Sequence, residues 1–189
     1  METEFDKTSA STLYDGLKQW FVMRDLKRSN AKCPAYQMLT DMGIRVFTPM
    51  IWKLYTRQGK RVRKQVPFMQ DLLFVFEQRK VLDAIVERIS TLQYRFVRGA
   101  YHEPMTVLRA DMDAFIRAVE SSENPQYYSP GELTPAMVGK KVRIIGGALD
   151  GYEGFLRKVR GSKMKHLLVE LPSHLTASIE VEPEFVEFI

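Results

Sequence analysis

The pattern of apolar residues changes once along the chain, and that change constrains the fold more than any other feature of its 189 residues. Before Ser121, segments with helical apolar spacing alternate with short β-rich runs. After about Pro135 only short strand candidates remain, separated by Gly, Lys or Pro. The stretch between, from Ser121 to Pro135, is dense in turn formers and has no periodic apolar positions, so it reads as an interdomain linker. The expected organisation is a first domain over 17–121, a linker over 122–135 and a second domain over 136–189.

Within the first domain, Trp20-Phe21-Val22-Met23 reads as a short buried strand ending at Arg24-Asp25. Ser29 or Asn30 is placed to cap a following helix, with Pro34 in its first turn, Tyr36, Leu39 and Met42 on one face, and Gly43 as its stop. Ile44 to Tyr55 is β-rich, Gln58-Gly59 offers a turn, and Val66 to Phe76 resumes an apolar run, which predicts two strands joined by a protruding hairpin. Trp52 is expected to be buried. Val81, Leu82, Ile85, Val86 and Ile89 mark an amphipathic helix, Gln93–Val97 a strand, and Leu108, Met112, Phe115, Ile116 and Val119 a further helix. Helices interleaved with hairpins predict an α+β sandwich on an antiparallel sheet. In the second domain, strand candidates around Val142–Ile145, Phe155–Val159, Leu167–Leu171 and Ile179–Val181 suit a small all-β barrel.

Several function classes are disfavoured. The apolar runs are too short to cross a bilayer, and the acidic opening has no apolar core of a secretory signal, so a cytoplasmic address is expected. A lone Cys33 and three scattered His leave no internal disulfide and no metal site, and no cofactor is expected. Cys33 reads as a small core residue, and His102-Glu103 has no visible catalytic partner, so the chain does not read as an enzyme.

Charge supplies the positive clue. Up to Ser121 there are 20 basic and 14 acidic residues, and after it 8 and 9, so the basic excess lies entirely in the first part. Between Asp41 and Asp71 there is no acid, while Arg45, Lys53, Arg57, Lys60, Arg61, Arg63 and Lys64 all fall inside. Such a stretch is either a solvated hairpin tip or a surface that attracts polyanions in a salt-dependent way.

The order of landmarks resembles the NusG-type transcription elongation factors, and within them the specialised RfaH-like branch that includes the capsule-operon antiterminators (UpxY-like). The landmarks are Trp20-Phe21-Val22, then Pro49-Met50-Ile51 with Gly59-Lys60-Arg61 and Val66-Pro67-Phe68 through Leu73-Phe74-Val75, then Arg95-Phe96-Val97-Arg98. Val138–Ile145 followed by Gly147-Ala148-Leu149-Asp150-Gly151-Tyr152-Glu153-Gly154 resembles a KOW motif, with Ala148 where the family usually has Pro.

The resemblance implies an adaptor without catalytic activity, expected as a monomer, that binds bacterial RNA polymerase and suppresses pausing or termination in an operon-specific way. It implies polymerase docking through Phe21, Met23, Met69, Leu72 and Phe74, at least one of Met69, Leu72 and Phe74 lying in an exposed patch. Met69-Gln70-Asp71-Leu72 replaces the family's Phe-Pro-Gly-Tyr, and Asp83 stands in the region of its gate-loop contact, where an ordinary exposed helix residue is expected. Contact with the non-template DNA strand is implied for Arg24, Lys27, Arg28 and Lys32, with Lys60, Arg61, Arg63 and Lys64 adding a phosphate track and Trp52 or Tyr55 a stacking platform. The KOW motif residues Gly147, Leu149, Gly151, Tyr152 and Gly154 imply a domain that binds a ribosomal protein or the termination factor Rho. The alternative is a ribosome- or RNA-associated KOW protein acting in translation.

Overall fold

The computed structural model describes residues 16–27, 31–161 and 163–189. Among these the chain forms two compact units, one running to Thr48 and resuming over Met69–Arg109, the other comprising Pro49–Phe68 and Ala110–Ile189. Ser29 and Asn30, expected as a helix cap, lie outside the described residues. No described helix is long and apolar enough to cross a membrane.

The first unit is built on an antiparallel sheet. Strand β1 (Gln19–Asp25) sits between β5 (Leu73–Glu77) and β6 (Leu92–Tyr94), β2 (Arg45–Phe47) flanks β5, and β7 (Thr106–Val107) also pairs with β1. Phe21 opposes Val75 and Met23 opposes both Leu73 and Tyr94, so these side chains share one face of the pleat. That face forms a core with Ala35 and Leu39 of helix α1 (Ala35–Asp41) and Leu82 of helix α2 (Arg79–Arg88). On the other face Trp20 pairs with Phe76 at 5.2 Å between ring centroids, under the Arg45 guanidinium.

Helix α1 is capped from a distance. Pro34, extended and without a side-chain donor or acceptor, occupies the cap position, and the buried Asp25 carboxylate accepts the Ala35 N–H at 2.6 Å. Gly43, at φ +77°, closes the helix as its sequence position predicts. Cys33 is exposed rather than part of the core, because it precedes the helix and never reaches its buried face.

The second unit contains the hairpin β3 (Met50–Arg57) and β4 (Lys60–Pro67), a two-stranded sheet of its own. Helix α3 (Arg109–Glu120) follows, burying Met112, Phe115, Ile116, Ala118 and Val119 at the expected spacing, whereas Leu108, just before it, is exposed. Then comes a six-stranded antiparallel sheet in the order β13 (Val186–Phe188), β9 (Val138–Ile144), β10 (Glu153–Arg157), β11 (Lys165–Leu171), β12 (Leu175–Val181) and β8 (Gln126–Tyr128). Strand β8 lies within the stretch read as a linker: Gln126, Tyr127 and Tyr128 pair with Ser178, Ala177 and Thr176, and Tyr127 is buried. This segment is sheet rather than free connector.

Candidate nucleic-acid interface

The hairpin's turn is set by two residues in the left-handed region, Gln58 at φ +49° and Gly59 at φ +75°, the geometry that matches strand twist in a two-residue loop. Its strands run in register from Met50↔Pro67 to Arg57↔Lys60 without a bulge. Eight residues per strand give a ribbon about 27 Å long. From Trp52 and Gln65 outward every residue is exposed. Only the root is held: the Phe68 N–H donates to the Pro49 carbonyl at 2.8 Å, and the Phe68 ring meets that of Tyr127.

The register sorts the cations. Opposed residues share a face, so Lys53, Tyr55, Arg57, Lys60, Val62 and Lys64 lie on one side, and Trp52, Leu54, Thr56, Arg61, Arg63 and Gln65 on the other. The four residues expected to form one phosphate track are therefore split, Lys60 and Lys64 on one face and Arg61 and Arg63 on the other. Lys53 and Arg57, within the basic stretch but not singled out from it, complete a four-cation face around Tyr55. Lys53 stands directly opposite Lys64, and Arg57 opposite Lys60, a like-charge arrangement that works against the pairing. Among the described residues none of these six hairpin cations has a carboxylate partner.

On the opposite face the Arg63 guanidinium lies 4.5 Å from the centre of the Trp52 ring. Trp52 is 41% exposed, contrary to the burial expected of it, because it sits on a ribbon with no sheet or helix packed on its outer part. Tyr55 is 45% exposed. The ribbon thus presents four exposed cations on one face and a ring stacked with a cation on the other.

The second group of expected DNA contacts lies at the end of β1, in the first unit. Arg24 is exposed but shares Asp71 with Arg95, at 3.5 Å and 3.0 Å. Lys27 donates its ammonium to the Cys33 carbonyl at 2.8 Å, Lys32 is exposed, and Arg28 lies outside the described residues. The departure Met69-Gln70-Asp71-Leu72 has a local purpose: Asp71 gathers the two arginines, and the Gln70 side chain donates to the Lys27 carbonyl at 3.0 Å, bracketing the end of β1.

The residues expected to dock polymerase are mostly interior. Phe21, Met23, Leu72 and Phe74 are 2% exposed or less: Phe21, Met23 and Phe74 lie on buried strands, and Leu72 is buried just ahead of β5. They have no surface to offer a partner in this conformation, and only Met69 is half-buried. Asp83 is engaged within its own unit, accepting the Tyr94 hydroxyl at 2.9 Å and lying 3.7 Å from Arg79.

The glycine-rich segment acts as a shaped turn. Gly146, Gly147 and Gly151 all have positive φ, Leu149 is buried, and the Asp150 carboxylate accepts the Gly146 N–H. Gly154 is required for a different reason, since a Cβ there would stand 2.9 Å from the Leu168 carbonyl oxygen. Tyr152 is half-buried, and desolvation raises its phenol above the usual range, against a hydrogen bond from the Glu170 backbone. Among the described residues no group of three or more His, Cys, Asp or Glu is arranged to hold a metal.

No protein-family model matches the sequence. No curated protein matches it either. Among solved structures the chain is similar to one described as "Domain interaction in Thermotoga maritima NusG", at 15% identity and a TM-score of 0.44, over 91% of this chain and 97% of that one.

Proposed function

We propose that this chain is a transcription elongation and antitermination factor that binds bacterial RNA polymerase and suppresses pausing or termination, in an operon-specific rather than general way. The observation that carries the proposal is the ribbon β3–β4: a long exposed hairpin with six cations, no acid, and a ring at hand for a base. The order of sequence landmarks, from Trp20-Phe21-Val22 through the glycine-rich segment, supports the same reading.

The chain acts as an adaptor, without catalytic chemistry. It binds the processive conformation of the enzyme more tightly than the paused one and so shifts the population between them. The hairpin adds affinity by lying along the displaced non-template strand, where charge steers and holds but does not choose sequence. Polymerase contact draws on surface other than Phe21, Met23, Leu72 and Phe74. The C-terminal sheet carries a second contact, with a ribosomal protein or Rho.

The test is in vitro transcription on a pausing template that includes the promoter-proximal region of the protein's own operon. Wild type is expected to shorten pauses, and a variant with Lys60, Arg61, Arg63 and Lys64 all changed to Ala to lose most of that effect. No effect of wild type on any template sinks the reading. Co-sedimentation with ribosomal subunits in place of polymerase favours a role in translation instead.

A further inference from the structure

The six-stranded sheet carries cations in two different states. On the outer face of β9, Lys141 and Arg143 are paired with Glu153 at 2.9 Å and 2.7 Å, and Arg143 also lies 3.9 Å from Glu187. Hydrogen bonds from Arg143 and Lys141 hold the Glu153 carboxyl below its ordinary value. Here the chain has supplied its own counter-charge.

Beside this paired cluster, within the same unit, is a groove of about 480 Å³ between the start of β9, the turn joining β10 to β11, and β13. Lys140, Arg157, Lys158, Arg160 and Lys165 line it, together with Phe188, and no carboxylate among the described lining residues balances them. Lys140, Lys158, Arg160 and Lys165 are exposed. Lys140 sits where the register between β9 and β10 shifts, between the pairs Phe155↔Lys141 and Arg157↔Val138, and among the described residues it has no ion pair with Glu153. Arg157 is fixed in place: it donates to the Gln126 side-chain oxygen at 2.6 Å, and its guanidinium lies over the Tyr128 ring. Phe188 is 57% exposed, with the Lys140 ammonium 5.4 Å from its ring centre.

We infer that this groove is a second nucleic-acid site, which takes the phosphate backbone of a single strand along its five cations and stacks one unpaired base on Phe188. Five cations without an acid call for a polyanion, and a concave site of this volume suits a small segment of one. Two features favour a nucleic acid over an acidic protein segment. Arginines and lysines alternate along the turn, giving planar forks and mobile ammonium groups that fit successive phosphates. The ring at the groove's edge is exposed beside a cation, the arrangement on which bases stack regardless of sequence.

The site is independent of the hairpin, so its test is run in the full chain with Lys60, Arg61, Arg63 and Lys64 already changed to Ala. Fluorescence anisotropy with a twelve-nucleotide oligouridylate, across a salt series, compares that background with the same chain carrying Lys158→Ala, Arg160→Ala and Lys165→Ala. The groove variant is expected to bind at least about tenfold more weakly, with the slope of log affinity against log salt reduced by about 2. Phe188→Ala is expected to weaken binding by about fivefold or more with the slope unchanged. All four exposed cations project from the surface, and circular dichroism checks that the sheet is intact. No oligonucleotide binding by the four-alanine background overturns the inference, as does a groove variant with unaltered affinity and slope. Equal or tighter binding of an oligoglutamate peptide of matched charge overturns it in favour of an acidic protein segment. Because pausing is not measured, failure here leaves the transcription assay readable on its own terms.

Discussion

The rings of Phe68 and Tyr127 meet with their centroids 5.6 Å apart, one at the root of the basic hairpin and the other on β8. Tyr127 also receives a hydrogen bond from the Met50 backbone, and its burial drives its phenol well above the usual range in spite of that bond. The hairpin is therefore seated on a three-residue strand from the turn-rich stretch. Tyr127→Ala is expected to lower stability by about 3 kcal/mol, and Tyr127→Phe, which keeps the ring contact, by about 1 kcal/mol. Urea denaturation distinguishes the two, and equal losses would mean the ring contact contributes nothing.

The chain has two tryptophans, and they differ in access: Trp20 is fully buried and Trp52 is 41% exposed. Acrylamide is expected to quench only the emission removed by Trp52→Phe. Single-stranded DNA added at low salt should protect that emission, and raising the salt should restore the quenching. Quenching of the Trp52 emission that single-stranded DNA leaves unchanged at low salt would place the bound strand elsewhere.

Asp25 caps α1 from β1, accepting the Ala35 N–H at 2.6 Å and the Lys27 N–H at 2.9 Å. Asp25→Ala is expected to destabilise the chain by about 1–2 kcal/mol, and Asp25→Asn by less, since an amide oxygen still accepts. Thermal melts of the two variants give the order.

Glu77 links stability to pH. Burial raises its carboxyl, but the Gln78 N–H and the Lys18 ammonium outweigh burial, and the net position is below its ordinary 4.5. A group depressed on folding contributes stability above its unfolded value and loses that contribution as pH falls through the folded one. Wild type is thus expected to lose stability below about pH 4.5 more steeply than Glu77→Gln, whose deficit of about 1 kcal/mol is present at pH 7 and vanishes in acid. Urea midpoints from pH 3 to 7 check the crossing, and parallel curves would exclude the linkage.

Gly154 has no room for a methyl group, with the Leu168 carbonyl oxygen 2.9 Å and the Tyr152 ring 3.0 Å from where a Cβ would stand. Gly154→Ala is expected to cost about 1–3 kcal/mol in urea denaturation, because backbone on β11 must move to admit it.

Much of the fold is legible in the sequence where a period is long. The β1 run, the faces of α2 and α3 and the Gln58–Gly59 hairpin all follow from spacing, since each has enough residues to show one. Strand β8 is not legible: three residues between turn formers show no alternation, and only pairing with β12 makes them a strand. For the same reason the two-residue β7 is invisible in advance. The candidate site is half legible. Absence of acid locates the hairpin, but which cations share a face depends on register, and a one-residue slip would exchange them. Phe21 and Phe74 show the reverse problem: an apolar strand residue reads alike whether it faces a partner or its own core.

The opposed cations of the hairpin carry a mechanical consequence. Lys53 against Lys64 and Arg57 against Lys60 make rungs that push apart, so the backbone ladder of the finger works against its own side-chain charge. On the function proposed above, a strand of phosphates laid over those rungs is expected to relieve that repulsion, serving as mortar as well as cargo.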